Sequence, residues 1–392
     1  MALYDFSATP LQNIILGIGS EMNAILGKEY SNFNKTRRIS DLNLIKVYQD
    51  STDRCVNKAK LDAALAMKET SAQTLLYDDF GRSKPSIGNS LQQTGFGTGV
   101  TRRSQIPIGT LLTQKMSVTR ENLKQWDFLG SDLEPDILRK KYALALMDAM
   151  LEMYMTLLQR TEEAVAAHLV ANIAATGGAG TIYANLVNVQ EIPLAGAATK
   201  YRGIYTEANQ NRFLRGDNTT PYLVSSLVDF MNFDALQALG QGNSSDQKGT
   251  QLDVDRFNFR QSESLDAIAT AAGYTSTSFL IKQGGVGITS YVPDMAFDSI
   301  VPEMKIENAS FERLEIGDFG AYGIPVAAGI KDMSFGFYMD KSVLNTNGTY
   351  GTESSFLDKA VNMTMFTQPI IFAAPSEVAG DTPIVQYGQL AV

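Results

Sequence analysis

Two side chains that commonly carry chemistry occur once each in this chain of 392 residues, as His168 and Cys55. A catalytic triad needs its histidine in a cleft beside a nucleophile, and a zinc site needs several His or Cys ligands. His168 lies beside an apolar helical stripe, with no histidine or cysteine partner in the neighbouring turns. We interpret His168 as structural and Cys55 as a small interior residue rather than a catalytic thiol.

Glycine-rich and acidic motifs give no better catalytic site. The glycines of residues 95–99 and 284–287 do not lie between a strand and a helix, as phosphate loops do, and predict turns. Residues 253–255 lack the glycine and the closing glutamate of a calcium loop. The pairs Asp78-Asp79 and Glu162-Glu163 diverge on a strand or helix, which indicates solvated faces rather than an acid and base pair. The sequence therefore predicts no enzyme, no catalytic or metal-binding residue and no cofactor.

Composition limits the remaining classes of protein. Apolar residues make up 44% and charged residues 19%, as in ordinary globular proteins, and the length allows two or three average domains. The net charge of −9 argues against a protein that holds nucleic acid on a broad basic face. The single cysteine excludes an intrachain disulfide. The first residues lack the basic and apolar segments of a secretory signal, so we expect no secretion by that route.

One long helix is predicted over Ser131–Ala175, spanning roughly 65 Å. Ser131 and Glu134 have the spacing of a capping box, Pro135 suits the first turn, and Gly177 follows the end. Apolar residues cover more than half of the circumference in the middle, so we expect other elements to pack on two sides. A narrow edge of polar residues is predicted to face solvent: Asp148, Glu152, Gln159 and Glu163. Those charges leave no run long enough for a membrane span.

A long hairpin is predicted before this helix. Ala72–Tyr77 forms one strand, residues 78–100 form a polar tip, and Gln105–Arg120 forms the second strand. Alternation predicts one apolar face with Ile106, Ile108, Leu112, Met116 and Val118, and an opposite polar face with Gly109, Thr113, Lys115, Ser117 and Thr119. A two-stranded ribbon is marginal alone, so a neighbouring copy is a plausible cover for its apolar face.

The rest of the chain predicts an arm, loops, helices and a β-rich block. We expect an arm over residues 1–40, a strand over Asp41–Gln49 and a helix over Asp53–Lys68. After the long helix we expect the following: loops over Thr181–Pro221, a helix or helix pair over Tyr222–Gly240, a helix over Ser262–Ala272, short strands from Thr277, a strand over Lys359–Ala374, and a short tail. Pro369 indicates an edge or bulge in that last strand.

This order of elements resembles the HK97-like major capsid proteins of tailed bacteriophages. Four segments carry the resemblance: QIPIGTLLTQKMSVTREN in the hairpin, QRTEEAVAAHLVANIAATGG in the long helix, ALQALGQGNSSDQKGT, and MKIENASFERLEIGDFGAYGIPV. The resemblance covers most of the chain and is architectural, because none of the segments is a fingerprint motif.

The resemblance implies an α+β, HK97-like capsid fold with an N-terminal arm, an extended hairpin loop, a long spine helix, and peripheral and axial domains. The implied parts are residues 1–71 (arm and start of the peripheral domain), 72–122 (hairpin), 123–200 (peripheral domain with the spine helix), 201–340 (axial domain) and 341–392 (a strand returning to the peripheral domain).

The implied function is structural. Hexamers and pentamers of the chain would form the icosahedral shell of a virion, assembled in the bacterial cytoplasm, with portal, scaffolding and decoration proteins as partners. Packaged double-stranded DNA would be touched only weakly and without specificity, and no membrane would be involved. Candidate contacts between subunits are Asp78, Asp79, Arg82, Arg102, Arg103, Ile108, Leu112, Lys115 and Met116.

Three alternatives remain open from the sequence. The chain is another virion component, such as a tail or baseplate protein, if the ribbon joins a ring or tube. It is the shell of an encapsulin-like compartment if its inner face binds a cargo peptide. It is an enzyme if His168 or Cys55 is essential for an activity.

Overall fold

Helices and sheets share the described part of the chain, as the α+β prediction requires. The computed structural model describes residues 42–56, 59, 61, 74–79, 102–107, 109–118, 135–173, 189–193, 204–205, 207–212, 219–231, 233, 257–292, 313–316, 330, 333–339, 361–374 and 382–390. The helices are α1 (Asn43–Cys55), α2 (Pro135–Ala171) and α3 (Ser264–Ala271). The strands are β1 (Thr74–Asp79), β2 (Arg102–Pro107), β3 (Leu112–Val118), β4 (Val189–Pro193), β5 (Tyr222–Ser225), β6 (Asn258–Gln261), β7 (Tyr274–Ile281), β8 (Val286–Tyr291), β9 (Arg313–Ile316), β10 (Phe335–Met339), β11 (Val361–Ala373) and β12 (Ile384–Leu390).

The long helix α2 is confirmed, but it ends earlier than the sequence predicts. It has 37 residues, about 55 Å at 1.5 Å per residue. The backbone amide and the side-chain amide of Asn172 both donate to the His168 carbonyl, and the Ile173 amide donates to the carbonyl of Val170, three residues back. Asn172 thus closes the last turn before Gly177 is reached.

Other elements cover α2 on more than one side, as its wide apolar surface predicts. It contacts β3 and β11, and it also contacts α1 and α3. Its buried residues include Met153, Leu157, Val165 and Leu169, whereas the predicted solvent edge is exposed at Glu152, Gln159 and Glu163.

One five-stranded sheet, here called the spine sheet, packs against α2. Its order is β3-β11-β10-β9, and β8 pairs with the second half of β11. All of these pairings are antiparallel. Strand β11 confirms the strand predicted over Lys359–Ala374. Pairing with β3 stops at Thr367, so at Pro369 the described strand paired with β11 is β8, in agreement with the predicted edge position.

The other five-stranded sheet, here called the second sheet, has the order β4-β12-β7-β5-β6. Strand β12 is buried through Gln389 and lies between β4, its parallel neighbour, and β7, its antiparallel neighbour. The prediction of loops over Thr181–Pro221 is wrong for residues 204–205 and 207–212, which are helical. The prediction of a short tail is wrong for residues 384–390, and the prediction of loops is also wrong for β4. Neither segment shows its partner in the local sequence, because the pairing joins residues nearly 200 positions apart.

The main hydrophobic core joins both sheets with α1 and α2. Tyr154 of α2 meets Phe335 of β10 edge to face, with ring centroids 5.0 Å apart. Phe279 of the second sheet and Tyr48 of α1 are fully buried in the same cluster. Edge-to-face aromatic contacts of this kind contribute about 0.5–1.5 kcal/mol beyond the burial of apolar area.

Helix α1 overturns the strand predicted over Asp41–Gln49. Its buried positions include Leu44, Tyr48, Ser51 and Cys55, which recur every three or four residues along one helical face. The helix predicted over Asp53–Lys68 is confirmed in part, because α1 runs to Cys55, Val56 is extended, and residues 59 and 61 are helical again. The partial alternation of the first residues also fits a helix, and distant contacts decide between the two structures.

Strand β5 overturns the first part of the helix predicted over Tyr222–Gly240. All four of its residues are buried, and β5 pairs with β6 and β7. A short, mostly apolar run such as YLVS does not distinguish a buried strand from a buried helix. Residues 227–231 are helical, α3 confirms the helix predicted over Ser262–Ala272, and β7 to β10 confirm β structure after Thr277.

Several predictions lie outside the described residues. They are the arm of residues 1–40, the hairpin residues 80–101 with Arg82 and the glycines of residues 95–99, Ile108, the capping box of residues 131–134, and the acidic residues 253–255.

Candidate functional site

Strands β1 and β2 form a two-stranded antiparallel sheet, here called the ribbon. Its register runs from Thr74 opposite Pro107 to Asp79 opposite Arg102. Among the described elements, the main contact of the ribbon with the body is between β2 and β11. A lone pair of strands is at most marginally stable in water, so this geometry favours a second covering surface.

The register brings four predicted contact residues together at one end of the ribbon. Asp78 lies opposite Arg103, and Asp79 lies opposite Arg102. Opposite charges at directly facing positions of an antiparallel pair stabilise it by about 0.2–1 kcal/mol each. This end of the ribbon therefore has two acidic positions on one strand and two basic positions on the other.

The second predicted strand of the hairpin, Gln105–Arg120, is interrupted. Strand β2 ends at Pro107, which lacks an amide donor, and β3 begins only at Leu112. The two halves belong to different sheets, because β3 pairs with β11 in the spine sheet. The prediction of one continuous ribbon strand is wrong for this reason.

Strand β3 keeps the predicted alternation at the residues whose burial is described. Thr113 and Lys115 are exposed, whereas Leu112 and Met116 are half-buried and pack against the main core of the same chain. Among the described residues, Leu112 and Met116 are thus covered by the body of their own subunit. Their role and that of Lys115 as contacts between subunits stay predictions.

The base of the ribbon lies against β11 at residues 109–113. The Gln368 side-chain amide donates to the Gly109 carbonyl at 2.6 Å, and Arg160 of α2 donates to the Thr113 carbonyl at 3.3 Å. A Cβ atom on Gly109 would overlap the carbonyl of Pro369. Only glycine therefore allows this approach of the two backbones.

A buried carboxylate joins α1 to the long helix. Glu162 is 2% exposed, and its two carboxylate oxygens accept from the amides of Leu44 and Ile45, each at 2.9 Å. The Ser262 hydroxyl also donates to it at 3.2 Å. Glu162 thus satisfies two amides in the first turn of α1, where an anion is favoured.

The interpretation of Glu162-Glu163 as one solvated face is wrong for Glu162. Glu163 is exposed, whereas Glu162 points into the core. One signal of this burial is present in the sequence, because the apolar stripe of the long helix is interrupted at Thr161-Glu162. The partners of Glu162, the amides of Leu44 and Ile45, could not be found from sequence, because these hydrogen bonds join residues more than 110 positions apart.

His168 and Cys55 occupy structural surroundings. His168 Nδ1 lies 3.1 Å from the Tyr48 hydroxyl, and burial lowers the pKa of His168 to about 4. Burial, and then the charge of Glu162, raise the pKa of Tyr48. Cys55 is buried in a small apolar cluster with Ile370 and Phe372. This geometry agrees with the structural interpretation of both residues.

Asp229 is a second buried carboxylate that the sequence did not single out. It is fully buried and accepts from the Ser276 hydroxyl at 2.7 Å and from the Ser278 hydroxyl at 2.9 Å. These bonds hold the helical residues 227–231 against β7. An ordinary Asp in an amphipathic segment gives no signal of such burial.

The remaining motifs behave as turns within the described residues. Gly284 has φ +75° in the turn between β7 and β8, and the Gly285 amide donates to the Lys282 carbonyl at 2.9 Å. The described side chains include no group of three or more His, Cys, Asp or Glu residues suited to a metal ion. Of the helices in the described part of the chain, none has the length and apolar character to cross a membrane.

Comparison with known proteins gives likenesses in structure alone. No family model matches the chain, and no curated protein matches it. The structure is similar to one from Mycobacterium phage Adephagia, with 10% identity and a TM-score of 0.42 over 95% of this chain and 98% of that chain. It is also similar to the capsid asymmetric unit of cyanophage A-1(L), with 10% identity and a TM-score of 0.40 over 91% and 94% of the two chains.

A third similar structure is the capsid of cyanophage P-SCSP1u. The identity is 11% and the TM-score is 0.39, over 82% of this chain and 85% of that chain. Phage structures, including capsids, are thus what the chain resembles.

Proposed function

We propose that the chain is the major capsid protein of a tailed bacteriophage, with an HK97-like fold and no enzymatic activity. Its subunits assemble as hexamers and pentamers into the icosahedral shell that encloses the phage genome. The observation that carries this proposal is the ribbon: a two-stranded sheet whose main described contact with the body is through β2 and β11. Such a ribbon gains stability when a second copy of the chain covers it.

The body of the subunit suits a shell that is built from repeated contacts. Helix α2 has about 55 Å of length and packs on the spine sheet, so it supports the ribbon on a rigid base. Heterologous contacts between identical subunits close into rings when the rotation between neighbours is fixed. A rigid base under a projecting contact element meets that requirement.

The parts of the subunit follow from this proposal. Residues 1–71 form the arm and the start of the peripheral domain, 72–122 the hairpin, 123–200 the peripheral domain with α2, 201–340 the axial domain, and 341–392 the strand that returns to the peripheral domain. The hairpin overlaps the adjacent subunit, with contacts from Asp78, Asp79, Arg82, Arg102, Arg103, Ile108, Leu112, Lys115 and Met116.

Charge supports a weak relation to the packaged genome. With a net charge of −9 the chain has no excess of cations to release counterions from DNA, so its contacts with double-stranded DNA are few and non-specific. The protein resides in the virion and assembles in the host cytoplasm with portal, scaffolding and decoration proteins, without a membrane.

Light scattering on a sizing column, followed by electron microscopy of the purified protein, tests the proposal. We expect ring-shaped capsomers or closed shells of uniform diameter. Open tubes or single rings without shells would favour a tail or baseplate protein. A protein that stays monomeric, both alone and in the presence of the phage's scaffolding protein, would contradict the proposal.

A further inference from the structure

The ribbon leaves the spine sheet where β11 changes partners. Strand β3 pairs with β11 up to Thr367, and β8 pairs with β11 from Gln368 onward. Residues 109–111 lie between the end of β2 and the start of β3 and belong to neither strand. The direction of the ribbon is therefore set within a few residues, beside Gln368 and Pro369.

Two contacts fix the backbone at that point. The Gln368 side-chain amide holds the Gly109 carbonyl at 2.6 Å, and Gly109 lies so close to Pro369 that an added Cβ would overlap the Pro369 carbonyl. The obstacle is backbone rather than the end of a flexible side chain, so it cannot move aside without shifting β11. Strand β11 is itself held by β3, β10 and β8.

The start of β3 is fixed independently. Arg160 of α2 donates to the Thr113 carbonyl, and Leu112 packs against the main core. The segment between Pro107 and Leu112 therefore joins the body on one side to the ribbon on the other. A side chain at Gly109 would push that segment, and the ribbon with it, away from β11.

We propose that Gly109 is a positioning residue that sets the angle at which the ribbon leaves the body. The consequence of this angle for assembly rests on the proposed function, because in a shell the angle determines where the ribbon meets the next copy of the chain. The angle itself is a property of the single subunit, so it is testable whether or not shells form.

The test measures a distance in unassembled protein. Spin labels on Asp79→Cys at the ribbon end and Gln159→Cys on the exposed face of α2 report the ribbon direction, and the native Cys55 is buried. The ribbon strands are about 20 Å long, so a tilt of about 15° moves the labelled end by about 5 Å. We expect Gly109→Ala to shift the distance between the labels by at least about that amount.

Two further variants provide the controls. Gly273→Ala introduces a Cβ at φ +75° with no atom within 4 Å, in the turn between α3 and β7, and should lower the melting temperature without moving the labels. Gln368→Ala removes the amide that holds Gly109 without adding an overlap, and should broaden the distance distribution. If Gly109→Ala does not fold, the distance distribution of Gln368→Ala still tests the positioning role.

The outcomes separate the inference from the proposed function. A shifted distance in Gly109→Ala, or a broadened one in Gln368→Ala, supports the positioning role. Distances unchanged in both variants overturn it, even if the wild-type protein forms shells. In a protein that assembles, Gly109→Ala should also yield about tenfold fewer closed particles than Gly273→Ala, because ring closure depends on a fixed rotation between neighbours. Equal yields from the two variants would count against the role of the angle in assembly.

Discussion

The ribbon and the body around α2 are stabilised in opposite ways. The body holds a core that joins two sheets and three helices, and it satisfies even a buried carboxylate, Glu162, with amides of its own chain. The ribbon is two strands with complementary charges at its end. The body folds on contacts from within its own chain, and in the proposed shell the ribbon is covered by a neighbouring copy. A subunit divided in this way suits assembly.

The largest expected loss of stability comes from a substitution at Glu162 in the body. Glu162→Ala leaves the buried Leu44 and Ile45 amides without their acceptor, and each buried unpaired donor costs about 1–3 kcal/mol. We expect the free energy of unfolding to fall by about 3 kcal/mol or more, measured by denaturant titration of the unassembled subunit.

Glu163→Ala is the matched control for that measurement, because Glu163 is adjacent and exposed. Its effect should stay within about 0.5 kcal/mol. Equal losses from the two variants would mean that Glu162 does not hold α1 to the long helix.

The next effect is a pH dependence within the body. The pKa of His168 is about 4 in the folded protein, below its ordinary value of 6.5, so the unfolded chain binds the extra proton first. The stability that neutral His168 contributes is complete above pH 6.5 and is lost as the pH falls to 4. With partial exposure of the ring, the loss is roughly 2–3 kcal/mol.

Unfolding measured at several pH values in wild type and His168→Gln isolates this contribution. The difference in stability between the two proteins should change between pH 6.5 and 4 and should stay constant above pH 7. A constant difference over the whole range would show that His168 is accessible to protons in the folded state.

A charge reversal in the ribbon should have a smaller effect on the stability of the subunit. Arg102→Glu with Arg103→Glu places like charges opposite Asp79 and Asp78, at a cost of about 0.2–1 kcal/mol for each pair. We expect nearly unchanged cooperative unfolding of the body, because its core is untouched, and a strong loss of assembled particles on a sizing column.

Adding Asp78→Arg and Asp79→Arg to that variant sharpens the comparison. The fourfold variant restores opposite charges across the ribbon but presents each strand to a neighbour with reversed sign. We expect it to remain defective in assembly. Assembly equal to wild type would show that these charges serve the ribbon alone.

The sequence predicted those elements whose local pattern is long or strongly periodic. Helix α2 and strand β11 were found because their apolar stripe or extended run is long, and the shorter helix α3 was found because its apolar residues have helical spacing. The Gly284 turn was found because its glycines fall between two strands. The α+β class follows from the same patterns.

Elements and residues that depend on distant partners were missed. The sequence predicts a tail where β12 pairs with β4 and β7, and it predicts a strand over part of α1, whose first turn is held by Glu162. The break in the hairpin at Gly109 depends on Pro369, about 260 positions away. Local sequence carries no record of such partners. The charge pairs of the ribbon were missed as well, because the hairpin pattern places Asp78 and Asp79 in the polar tip, whereas both belong to β1.

Hydrogen exchange in separate subunits and in assembled particles tests the central claim most directly. The account predicts that amides of residues 74–79 and 102–107 exchange rapidly in subunits and become protected by at least about tenfold in particles, because a neighbour covers the ribbon only there. Amides in the middle of α2 should be protected in both. Ribbon amides as protected in separate subunits as in particles would contradict the claim that the ribbon relies on another copy of the chain.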